Sequence, residues 1–166
     1  MTSRMVVAVN AWATGAFAVS AVLAAAVFAP PFTAIAVVVD LVCFSVGVVA
    51  FLWGYWTAVQ RSRADEISVA GMYFLLGSVA PSQVARCMNG LLGAQVIIGL
   101  ATALARPSTD GMAGSTLAFG ILVPMLGLGL NGLWASVHGA FPPRSTGNAD
   151  GVAHNHPPTG QDVSHD

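Results

Sequence analysis

Four long apolar runs separated by short breaks dominate the pattern of this chain. The first, Met5 to Ala29, contains no charged residue. A helix over such a run, rising about 1.5 Å per residue, crosses a hydrocarbon core of about 30 Å. Because the run follows Arg4, a secretory leader is the competing reading. The apolar core of a leader is usually about 7–15 residues, so an uncleaved helix is expected, with Ala24, Ala25 and Ala26 as the feature favouring cleavage. Pro30 and Pro31 end this helix, since proline lacks an N–H and disfavours helix in the residue before it. The second run, Phe32 to Ala58, holds one charge, Asp40, and closes on Trp53, Tyr55 and Trp56. Such rings, apolar with a polar edge, favour a membrane–water interface.

The stretch Gln60 to Glu66 is the most densely charged in the chain. Ile67 to Ala80 is apolar again, yet as a helix it reaches only about 21 Å before Pro81 stops it. Its apolar residues lie all round, so a short interfacial helix or a re-entrant segment is expected, either of which returns the chain to the same side. The third span runs from Val84 to Ala105 and the fourth from about Thr116 to Val137, joined by a turn-rich loop, Arg106 to Gly114. Pro124 is expected to kink the fourth span, with Gly120 one turn earlier easing the bend. From Arg144 the chain is rich in Gly, Pro, Asn and Asp, and 144–166 is expected to be a disordered cytoplasmic tail on a 1–143 membrane domain. The two hairpins share too few residues to indicate an internal repeat.

Composition agrees with this pattern. Of 166 residues, 55% are hydrophobic and 8% charged, against roughly 25% charged in a soluble domain. The expected fold is all-α, an integral membrane bundle of four transmembrane helices with the lipid bilayer as its solvent. A net charge of −1 and no basic stripe argue against nucleic acid as a partner. All the basic residues are Arg, and four spans put Arg4, Arg61, Arg63, Arg86 and Arg144 on one side with Arg106 opposite. Positive residues in short loops stay cytoplasmic, so both termini are expected inside the cytoplasmic membrane. The two short outer loops leave no room for an external catalytic domain. Cys43 and Cys87 fall at different expected depths, which argues against a disulfide between them, and both are expected to be small buried hydrophobes.

Asp40 is the first candidate for chemistry, because a carboxylate in hydrocarbon is costly. Counted from the outer helix ends, Ser20, Gln95 and Thr102 lie within about a turn of its depth. The functional reading is a proton or cation site; the structural one is a neutral carboxyl hydrogen-bonded to a neighbouring helix, and the structural one carries more weight. Nearer the inner side, Asn89 and Asn131 share a depth, Asn10 lies within a turn and Arg86 just below. These four either hydrogen-bond helices together, the preferred reading, or form a pocket for a lipid headgroup. Gly127, Gly129 and Gly132, with Gly90 and Gly93, are expected to permit close helix packing. The three Gly of the last helix spell a GxGxxG by letter but follow no strand, so no dinucleotide site is inferred. His154, His156 and His165 in the tail lack the fixed geometry of a metal site, and His138 is expected at the interface. No nucleophile motif or P-loop occurs, no cofactor or metal is implied, and an enzyme ranks third among the readings.

The strings GSVAPSQVAR, LAFGILVPMLGLGLNGLW and HGAFPPR resemble small actinobacterial multi-pass membrane proteins to which no activity is assigned. The resemblance covers Gly77 to Arg144 and implies a compartment and a helix count, without a reaction. Two functions remain. One is a non-catalytic accessory or scaffold subunit of a larger membrane complex, associating with other membrane subunits or with itself. The other is a small oligomeric transporter or lipid-handling protein that uses Asp40.

Overall fold

The computed structural model describes residues 2–109, 112–113 and 115–143; the expected tail and its histidines lie outside the described residues. Among the described residues five α-helices form: α1 (Ser3–Val27), α2 (Pro30–Arg61), α3 (Val69–Phe74), α4 (Ser82–Ala105) and α5 (Pro124–His138). Strands β1 (Ser108–Thr109) and β2 (Met112–Ala113) pair in the loop after α4, and a 3₁₀ segment, Thr116–Leu122, precedes α5. Among the described residues, four helical stretches are long and apolar enough to cross a membrane: α1, α2, α4, and the 3₁₀ segment continued by α5.

The ends of these helices follow from local chemistry. α1 stops where Phe28 turns left-handed, with its N–H donating to Ala24 O at 2.9 Å. Pro30 and Pro31 then open α2 as its first two residues, where a missing N–H removes no helical bond. α2 continues past the expected Ala58 to Arg61, whose guanidinium reaches Ser136 O at 2.9 Å and Gly139 O at 3.4 Å. A cation at the carbonyl end of α5 is favourable for its unpaired acceptors and its dipole. Arg106 does the same at the opposite end, donating to Ala25 O at 3.0 Å in the last turn of α1. The bundle thus carries Arg4, Arg61, Arg63 and Arg86 at one end and Arg106 at the other.

The fourth span departs from the expected kinked α-helix. Its first seven residues are 3₁₀ and α-helix begins at Pro124. Proline can neither donate nor tolerate the preceding α turn, so the change of helix type falls at the position where a kink was expected. The 3₁₀ segment and α5 are also the central span: half of their most apolar stretch is buried, against 28% for each of the other three. α5 packs most extensively on α2, to which it runs parallel, and also touches α1, α3 and α4.

The α2–α5 crossing depends on small residues. The buried positions of α2 are Ala36, Asp40, Cys43, Gly47, Ala50, Gly54 and Ala58, a stripe alternating by four and three except at its last step. A Cβ on Gly47 would lie 2.5 Å from Leu126 N, and one on Gly54 2.9 Å from Gly132 C. Gly129 lies against Gly47 O in return. A second close approach joins Gly99 of α4 to Gly120 of the 3₁₀ segment. Gly127, Gly129 and Gly132 are packed as expected, whereas Gly90 and Gly93 meet nothing within 4 Å and do not serve the crossing. Cys43 is buried and free; Cys87 is also free but exposed on α4, not buried as expected.

Candidate functional site

Among the described residues, the polar side chains that link helices inside the bundle form two hydrogen-bonded groups, and one buried carboxyl stands apart from both. The first group centres on Gln95, wholly buried in α4. Its Nε2 donates to Asn10 Oδ1 at 3.1 Å and Thr14 Oγ1 at 2.7 Å, both on α1. Its Oε1 accepts from Gly127 N at 3.2 Å. Gly127 lies in the first turn of α5, where the break at Pro124 leaves N–H groups without helical acceptors. Gln95 therefore supplies an acceptor that the broken span lacks and fastens it to α1. Thr14 takes part although depth along the helices did not single it out.

The second group fixes α3. Asn131 Nδ2 donates to Tyr73 O at 2.9 Å and to Asn89 Oδ1 at 3.0 Å, while Asn89 Nδ2 donates to Phe74 O at 2.6 Å. Tyr73 and Phe74 are the last residues of α3, which ends in a left-handed Leu75. A six-residue helix leaves most of its carbonyls unpaired, and two amides from α4 and α5 take up two of them. The Tyr73 ring stacks on Phe51 with centroids 4.3 Å apart, lies against Gly132, and its hydroxyl donates to Phe51 O at 3.2 Å. Ser68 caps the start of α3 by accepting from Gly71 N at 3.2 Å.

No family model, curated protein or solved structure matches the chain.

The four residues expected as one inner cluster are thus divided. Asn89 and Asn131 meet as expected, but Asn10 joins Gln95, and Arg86 is exposed and, among the described residues, bonds only its own helix at Ser82 O, 3.2 Å away. A headgroup pocket built from all four does not form. The outer set is divided too. Gln95 is engaged with Asn10 and Thr14; Ser20 donates to Phe17 O at 3.0 Å and Thr102 to Ile98 O at 2.8 Å, each within its own helix. Asp40 is 2% exposed, and among the described residues its Oδ1 has no hydrogen-bond partner. The bond to a neighbouring helix expected of a structural carboxyl is not found.

Asp40 nonetheless has a defined level. Ala36, one turn before it, clusters with Ala24 and Leu117, and Gly47, two turns after it, meets Met125 and Leu126. The carboxyl therefore lies level with the stretch where the 3₁₀ segment gives way to α5. At the other end, His138 stacks on Trp134 at 5.6 Å, and Trp134 Nε1 donates to Ser3 Oγ at 2.9 Å. Among the described residues, no three His, Cys, Asp or Glu side chains are placed to hold a metal ion.

Proposed function

We propose that the chain is an integral protein of the cytoplasmic membrane that crosses the bilayer four times, with both termini inside. Its role is that of a non-catalytic accessory or scaffold subunit that associates with other membrane proteins or with itself. The gathering of Arg4, Arg61, Arg63 and Arg86 at one end, with Arg106 at the other, supports the orientation. α3 reads as re-entrant: its Tyr73 meets Gly132 and Phe51, which lie about 9 and 15 Å by helix rise from the cytoplasmic ends of their helices. Amides that cap a helix inside the bundle answer the need of such a segment, since lipid offers its carbonyls no partner. The resemblance to small actinobacterial membrane proteins agrees with this compartment.

One observation carries the subunit role. Trp12 is 81% exposed, yet it lies about 14 Å along α1, near mid-membrane and away from the interfacial belt that tryptophan prefers. Its indole N–H has no partner among the described residues, and hydrocarbon supplies none. A neighbouring protein helix would. The test is extraction of the tagged protein in mild detergent, comparing wild type with Trp12→Leu. The wild type is expected to emerge as a complex of defined size, and the variant to be inserted and folded but released from it. A wild type that emerges as a monomer, or a complex unaffected by Trp12→Leu, contradicts the reading. The alternative, a small oligomeric transporter or lipid-handling protein, is favoured by the unpartnered Asp40.

A further inference from the structure

We propose that Asp40 is an intramembrane proton-binding site, a carboxyl that holds and exchanges one proton opposite the break in the last span. The proposal rests on the membrane reading above and goes beyond a packing role. Its basis is what surrounds the carboxyl and what does not.

Asp40 is 2% exposed with one oxygen unpartnered, so it is neither solvated nor tied to another helix. The groups that could have tied it are used elsewhere: Gln95 by Asn10, Thr14 and Gly127, and the Ser20 and Thr102 hydroxyls by carbonyls of their own helices. Among the described residues, no counter-ion compensates it. Among the described residues, the charged side chains and His138 lie in loops or near helix ends: Arg4 on α1, Arg61, Arg63, Asp65 and Glu66 around the end of α2, Arg86 at the start of α4, Arg106 after it, and His138 closing α5. The 3₁₀ segment, level with Asp40, has no titratable residue. Cys43, one turn along α2 on the same buried face, is a titratable neighbour. A cation from another subunit would have to reach a side chain that the bundle already covers.

An ionised carboxyl so placed is unstable in hydrocarbon, and the remaining state is the acid. A proton needs one oxygen. A metal cation needs a shell of oxygens, and the described residues place no such set of carboxylates around Asp40. The position also points to a route. Asp40 lies about 15 Å by helix rise from Pro30 and about 32 Å from Arg61, so the proton exchanges more readily with the side that carries Arg106.

The experiment uses membranes containing the full chain and the apolar reagent dicyclohexylcarbodiimide. A protonated carboxyl adds across one C=N bond of the reagent: its oxygen bonds the central carbon and its proton goes to nitrogen. An oxygen-to-nitrogen acyl shift then leaves a stable N-acylurea with no leaving group. The expected result is a single adduct by mass spectrometry on the peptide containing Asp40. It should fall to background at alkaline pH, be unaffected by Na⁺ or Li⁺, be absent in Asp40→Asn and persist in Asp40→Glu. An unlabelled Asp40 in membrane-embedded wild type overturns the proposal. Protection by Na⁺ or Li⁺ also overturns it, in favour of a metal-cation site. A carbonate wash of the same membranes keeps the two readings apart: protein that washes off refutes the membrane assignment, whereas protein that stays embedded but unlabelled refutes the proton site alone.

Discussion

Replacing Gly47 by alanine tests the α2–α5 crossing with the smallest change available. The added Cβ would stand 2.5 Å from Leu126 N and 2.6 Å from both C and O of Met125. All three atoms are backbone, so no side chain can swing aside, and restoring ordinary contact means parting the helices by about 1 Å. Overpacking usually costs about 1–3 kcal/mol, and an unyielding obstacle places this case near the upper end. Alanine recovers up to about 1 kcal/mol of helix propensity. The net expectation is a loss of about 2 kcal/mol, roughly thirtyfold in the folding equilibrium. Gly90→Ala and Gly93→Ala are the controls, since nothing lies within 4 Å of either added carbon. They should leave stability unchanged or raise it by up to about 1 kcal/mol. Reversible unfolding in mixed micelles, followed by tryptophan fluorescence and circular dichroism, measures all three. A Gly47→Ala protein within about 0.5 kcal/mol of wild type would refute the packing account.

Gln95→Leu removes the acceptor for Gly127 N and both bonds to α1. In the same unfolding assay it should cost about 1–3 kcal/mol, since membrane hydrogen bonds average about 0.6 kcal/mol each and Asn10 and Thr14 also lose a partner. Asn131→Leu removes the donor to the carbonyl of Tyr73 and to Asn89 Oδ1, so α3 should loosen while the four long helices stay folded. Protease cleavage within residues 62–81 should accelerate in Asn131→Leu, and an unchanged cleavage rate would show that the amides do not hold α3.

Much of the fold is legible in the apolar pattern, because each long helix needs only a run of suitable length bounded by Pro or charge. The expected spans agree with the helices to within three residues at each end. The change to 3₁₀ before Pro124 was less legible: proline marks the place of a break but does not specify the helix type before it. The small-residue stripe of α2 is written in the sequence at steps that alternate by four and three up to Gly54, and it is a better guide to close packing than Gly90 and Gly93 of α4 were. The site was the hardest part. Depth counted along straight helices groups residues by level and ignores which way each side chain faces. It therefore put Gln95 beside Asp40, when Gln95 turns to α1 and the proline break, and it put Arg86 in a cluster that Arg86 faces away from. The pairing of Asn89 with Asn131 was recoverable because both depth and facing agreed. Thr14 and Tyr73 were not singled out by depth, although Thr14 accepts from Gln95 across the bundle and Tyr73 donates to Phe51 O.

The most direct test of the account is the side on which each end of the bundle lies. Single cysteines are introduced as Ser62→Cys, after α2, and Ser108→Cys, after α4, in a protein carrying Cys43→Ala and Cys87→Ala. Intact cells are then exposed to a membrane-impermeant thiol reagent. Four spans with both termini inside predict that Ser108→Cys reacts and that Ser62→Cys reacts only once the membrane is opened. Labelling of Ser62→Cys from outside intact cells would contradict the orientation, and equal labelling of both positions would contradict the crossing itself.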